Sequence, residues 1–160
     1  MVHASRTIKV NTDANEPQLT RSLVWRGLVM KAENPLPFVP VITACRIIEQ
    51  QDDRRFVREI VDKGDVITEA VTLHPERMVK FERLSGRVLG TILNEIIDDD
   101  DGDLALKFTF TLTVEGVVPD SAAERDFAAQ MEQGYLMAVA ATLKAMRVLA
   151  RTNALAAAAS

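Results

Sequence analysis

The chain has 160 residues, 48% of them hydrophobic and 26% charged, with a formal net charge of −4. That length fits one domain with its own core, and the acidic balance supplies no basic face of the kind a nucleic-acid partner needs. The lone cysteine, Cys45, excludes an internal disulfide framework and suits a reducing cytoplasm; no run of about 18 apolar residues marks a membrane span, and MVHASRTIKV lacks a signal-peptide core.

Arg6 to Asn11 alternates apolar and polar side chains, the pattern of a short half-buried strand. A polar stretch ending at Pro17 follows. Thr20 then N-caps a helix carrying Leu23, Val24, Leu28 and Val29, which stops near Asn34 because Pro35 disfavours helical geometry before it. Pro35, Pro37 and Pro40 make a stiff connector. From Ile42 to Glu115, β-branched and aromatic residues dominate. Turn signals interrupt them at Asp52-Asp53, Lys63-Gly64, His74-Pro75, Ser85-Gly86 and Asp101-Gly102, which predicts a six-strand meander. From Ser121 to Arg151 the period becomes helical. Phe127, Met131, Tyr135, Ala138, Thr142, Met146 and Leu149 form one stripe on a helix about 45 Å long. The reading is one domain over residues 1–152 with a disordered tail at 153–160. Met137 and Ala140 interrupt the polar side of the last helix and mark a candidate homodimer contact.

Pairing residues across each turn estimates the register. A two-residue turn at Asp52-Asp53 sets Ile47 opposite Arg58, and Lys63-Gly64 sets Arg58 opposite Glu69 and Phe56 opposite Val71. A three-residue turn around Gly86 aligns Phe81 with Thr91, and a two-residue turn at Asp101-Gly102 aligns Leu93 with Phe110 and Glu95 with Phe108. The face so defined is bulky and apolar, while the opposite face, with Thr68, Thr72, Lys80 and Lys107, suits water. Arg58, Glu69, Arg83 and Glu95 also fall on the apolar side. Burying an unpaired charge is costly. Either they pair, sit at a cavity mouth or bind something polar, or the register slips at a bulge and they face outward.

The segments VWRGLVMKAENP with FVPVI, then VTLHPERMVKF, then GTILNEIIDDDDGDLALKFTFTL, in this order of elements, resemble the AtaL-like family within the START and birch-pollen-allergen (SRPBCC) superfamily. The similarity runs from Arg6 to Leu149. It implies an α+β helix-grip fold, in which a seven-stranded curved antiparallel sheet wraps a long C-terminal helix and encloses a ligand cavity. It brings no catalytic residues.

The residues themselves offer little chemistry. His3 and His74 lie apart from cysteine or carboxylate partners at metal spacing. An EF-hand loop with its glycine at Gly102 would run from Ile97 to Phe108, both wrong as ligands, so the Asp98–Asp103 run reads as a hairpin turn rather than a metal site. No nucleophile elbow, P-loop or dinucleotide fingerprint occurs, so no cofactor is expected. The leading expectation is binding of a hydrophobic or aromatic small molecule or lipid. The sheet would line its cavity with Ile47, Arg58, Glu69, Val71, Phe81, Arg83, Leu93, Glu95, Phe108 and Phe110. The helix would add Met131, Tyr135, Ala138 and Thr142. The alternative is a cyclase- or dehydratase-type enzyme acting on a polyketide-like substrate, with Glu69, Glu95 or Tyr135 moving a proton.

Overall fold

A computed structural model describes residues 1–152, so the expected tail lies outside the described residues. Strand β1 (Val2–Lys9) leads to helix α1 (Arg21–Glu33), and the meander follows as β2 (Ile42–Asp52), β3 (Arg55–Asp62), β4 (Asp65–His74), β5 (Met78–Arg83), β6 (Val88–Asp98) and β7 (Leu104–Val114). Helix α2 (Ala122–Arg151) closes the fold. The seven strands form one antiparallel sheet in the order β1-β7-β6-β5-β4-β3-β2. This is the expected α+β helix-grip architecture. The Thr20 hydroxyl accepts from the Leu23 amide to cap α1, and Ser121 caps α2 in the same way through Glu124.

β1 begins earlier than the alternation at Arg6 suggests, and His3 therefore lies within the strand. It pairs with Thr111, and its Nδ1 lies 2.9 Å from the Thr111 hydroxyl. The β3–β4 turn is as expected, with Lys63 and Gly64 both at positive φ (51° and 86°), the type I′ geometry that matches strand twist. The β2–β3 turn sits one residue later than expected, and register shifts along β2 restore Ile47 opposite Arg58.

β6 departs from the expected register. Phe81 pairs with Ile92 rather than Thr91, and Phe110 pairs with Ile92 rather than Leu93. Ile92, Asn94 and Ile96 therefore face inward, and Leu93 and Glu95 face outward. The two displacements cancel across β6, which is why Phe108 and Phe110 of β7 still point inward. Both connections of β6 differ from the expected turns: Arg83 pairs with Gly90 across residues 84–89, and the 99–103 loop between Asp98 and Leu104 is longer than a two-residue turn. Asp99 Oδ1 accepts from the amides of Asp101 and Asp103, and the Asp99 and Asp103 backbones also bond. Lys9 reaches across from β1 to Asp99, Asp101 and Asp103 at 2.8–3.0 Å. Its ammonium thus occupies the centre of the acidic cluster, and these three carboxylates hold its pKa above the usual lysine range. β6 also approaches β7 closely at Gly90. A Cβ there would lie 2.1 Å from the Thr111 carbonyl oxygen, and its φ of +132° suits only glycine.

Helix α2 makes its closest approach to β1 and α1. Its C-terminal half packs firmly through Val139, Thr142, Leu143 and Met146. At the crossing with α1, a Cβ on Gly27 would sit 2.6–2.9 Å from three side-chain atoms of Met146. Alanine would improve helix propensity by about 1 kcal/mol, but overpacking costs about 1–3 kcal/mol. Gly27→Ala should therefore lower stability by about 1 kcal/mol in urea denaturation.

Candidate functional site

Because α2 is anchored by its C-terminal half, its N-terminal half stands off the concave sheet. A cavity of about 330 Å³ lies between them. Phe127, Met131, Tyr135 and Ala138 line it from α2, and Ile60, Ile67, Phe81, Ile92 and Phe108 line it from the sheet. Tyr135 is partly buried and stacks on Phe110, with ring centroids 4.9 Å apart and planes 18° apart. Its apolar surroundings push the phenol pKa well above its usual value, so it can donate a hydrogen bond but remains protonated.

A row of charge crosses the floor of this space. Arg58, Glu69 and Arg83 are direct cross-strand partners on β3, β4 and β5. Arg58 Nε and Nη2 both donate to Glu69 Oε1, at 2.9 and 2.8 Å. Arg58 Nη1 donates to the carbonyls of Lys31 and Ala32, closing the C-terminal end of α1, and the guanidinium stacks 4.7 Å from the Phe81 centroid. Glu69 Oε2 lies 3.6 Å from Arg83 Nε, and Arg83 Nη2 reaches Asp62 at 3.4 Å. Of the alternatives open at the sequence level, mutual pairing on the inner face holds for these three residues. Among the described residues, the buried side-chain polar atoms left without a hydrogen bond are Arg83 Nε and Asp62 Oδ1, and both residues line the cavity.

Lys31, from the last turn of α1, enters the same wall. It is 8% exposed. Its Nζ donates to Asn94 Oδ1 at 2.8 Å and stands 5.3 and 5.9 Å from the ring centroids of Phe108 and Phe81. Burial, with a smaller contribution from the Arg58 charge, lowers its pKa to about 7, only partly offset by Glu69.

Of the residues expected at the site, Arg58, Glu69, Phe81, Arg83, Phe108, Met131, Tyr135 and Ala138 line the cavity. Val71, Phe110 and Thr142 are buried in the adjoining core, where Thr142 gives its hydroxyl to the Ala138 carbonyl of its own helix. Ile47 stands opposite Arg58 yet is 42% exposed, because β2 is the sheet edge and its outer reach overhangs the core. Leu93 and Glu95 lie on the outer face with Lys107, so the structure forms no Glu69–Glu95 acid–base pair. Lys31 and Asn94 escaped the sequence reading. Position 31 nonetheless continues the Val24, Leu28 stripe at helical spacing, a signal available in the sequence. Asn94 was hidden by the register of β6.

No helix among the described residues is long and apolar enough to cross a membrane. The chain is similar in structure to the Zhui aromatase/cyclase from Streptomyces sp. R1128, at TM-score 0.62 and 18% identity over 95% of this chain and 94% of that one. It is also similar to an uncharacterised protein from Bacillus thuringiensis, at TM-score 0.65 and 14% identity, covering 90% and 98%. A third structure, Ara h 8.0201, gives TM-score 0.56 and 14% identity, covering 94% and 99%. At these identities the likeness establishes the fold alone. No curated protein sequence matches the chain. Residues 4–153 match the family model described as acetylaranotin biosynthesis cluster protein L, and the chain belongs to that AtaL family.

Proposed function

We propose that the protein binds a hydrophobic or aromatic small molecule bearing a polar oxygen in the cavity between the sheet and α2. One observation carries this reading: a largely apolar space of about 330 Å³ has Arg83 Nε and Asp62 Oδ1, both buried and unsatisfied, on residues in its wall. Arg83 Nε has the Glu69 carboxylate at 3.6 Å but makes no hydrogen bond, and a ligand acceptor beside it would supply one. The volume lies at the lower end of the range for small-molecule sites, about 300–1,000 Å³. Binding would desolvate the apolar body of the ligand against Phe81, Phe108 and Met131, with Arg83, Lys31 and the Tyr135 hydroxyl orienting its polar end.

Mass spectrometry of organic extracts from purified protein, together with fluorescence titration of 2-naphthol, tests the reading. Failure of both to show a bound compound would reject it. Ala138→Trp fills the space from the α2 side. It should reduce 2-naphthol affinity by at least about 10-fold, or about 1.4 kcal/mol, while leaving the far-ultraviolet circular dichroism unchanged.

The cyclase-type alternative loses its carboxylate pair to the register of β6. Glu69 is engaged by two arginines and Glu95 faces away. The group in the wall best suited to take up a proton is Lys31.

A further inference from the structure

Lys31 is a buried amine with no carboxylate partner among the described residues. The charges that act on it are Arg58 from β3 and Glu69 from β4, and Glu69 is already bound to Arg58 and lies beside Arg83. From β6 it meets the neutral Asn94. Tyr135, on the α2 side of the cavity, is a protonated phenol, and Asp62 lies beside Arg83. An ammonium group so placed is largely desolvated and has no carboxylate in ion-pair contact among the described residues, whereas the free amine tolerates the site. With one N–H given to Asn94, the nitrogen lone pair meets no donor among the described residues. The residue lines the cavity, so a bound molecule can reach it.

We infer that Lys31 is a nucleophilic amine that condenses with the carbonyl group of a hydrophobic or aromatic ligand held in this cavity, an inference that rests on the cavity being a ligand site. The Nζ lone pair attacks the carbonyl carbon, a C–N bond forms, and the carbonyl π pair moves to oxygen to give a carbinolamine. The C–O bond then breaks, both amine hydrogens leave with the oxygen as water, and a C=N bond remains. Nothing is oxidised or reduced. A pKa of about 7 leaves a large fraction of Lys31 as the free base at neutral pH, which is how lysines become nucleophiles in apolar pockets. The faces of Phe108 and Phe81 would hold the charge of a protonated imine.

The test is reductive trapping of the full chain with 2-naphthaldehyde and sodium cyanoborohydride between pH 6 and 10, followed by peptide mapping. In parallel, fluorescence titration measures binding of 2-naphthylmethanol, which has the same rings and no carbonyl. The expected result is an adduct on Lys31 forming at least about 10-fold faster at pH 7 than on Lys80, Lys107, Lys144 or the exposed Lys63 at the cavity rim. Its rate should level off above about pH 8, one unit beyond the Lys31 pKa, while theirs keeps rising. Lys31→Arg should abolish that adduct. Labelling of Lys31 no faster than of the exposed lysines overturns the inference. If 2-naphthylmethanol still binds in that case, the ligand site stands and only the imine is lost. If the alcohol does not bind either, both fall.

Discussion

Glu69→Ala is expected to lower the stability of the fold by about 3–5 kcal/mol, the cost of removing one partner of a buried ion pair. Glu69 is 2% exposed and Arg58 4% exposed, so the guanidinium left behind would be poorly hydrated. The guanidinium would keep only the Lys31 and Ala32 carbonyls and the Phe81 face. Arg83 would keep Asp62 at 3.4 Å but lose the carboxylate 3.6 Å from its Nε. Against a typical total of about 5–15 kcal/mol, this is a large share. Urea denaturation should show a lower midpoint with an unchanged slope. The Arg58→Met, Glu69→Met double replacement should be less damaging than Glu69→Ala alone, because it leaves no orphaned charge. It should not be neutral, because Arg58 also closes the end of α1. A double variant at least as unstable as Glu69→Ala would refute the argument from uncompensated charge.

Lys31 should make stability rise with pH in the range where most proteins are flat. Its pKa is about 7 in the folded chain and 10.5 when unfolded. Between these values the unfolded state binds more protons, so unfolding becomes less favourable as pH increases. The penalty for burying the amine is fully present below about pH 7 and is relieved above it. The limiting slope is about 1.4 kcal/mol per pH unit, which gives about 2 kcal/mol between pH 7 and 9. Measurement should stop near pH 9. Beyond that the Cys45 thiol, whose pKa burial raises from 9.0, acts in the opposite direction. Lys31→Met should flatten the profile and make the variant more stable than the parent at pH 6–7. A parent profile already flat from pH 7 to 9 would show that Lys31 is not held as a free amine.

The parts of the fold that could be read from sequence are those where local chemistry decides. Lys63-Gly64 specifies its own turn, and with it the Arg58–Glu69 pairing follows by counting. Thr20 and Pro35 mark the ends of α1 through a cap and steric exclusion. Where the decision is non-local, reading stops. The parity of β6 depends on both of its connections, and one of them is an aspartate-rich loop held partly by Lys9 from the distant β1, a residue that no count across Asp101-Gly102 contains. One residue of slip exchanges Leu93 and Glu95 for Ile92 and Asn94, removing a carboxylate from the expected site and adding the amide that holds Lys31. Lys31 was overlooked for another reason. A lysine in the last turn of a helix ordinarily serves the helix dipole at the surface, and here Arg58 occupies the α1 terminus instead.

The strand order has a consequence for how the chain reaches this state. Strands β2 to β7 pair with sequence neighbours through short hairpins, whereas β1 pairs with β7 across roughly a hundred residues, as in Arg6 with Phe108. Contacts at such separation form late because the intervening loop must be closed first. During synthesis the meander is complete before α2 has been made, and its concave face then has α1 but not α2 to cover its apolar side chains. The cavity therefore comes into existence only with the final helix, and until then Phe81, Phe108 and Phe110 are a liability for self-association.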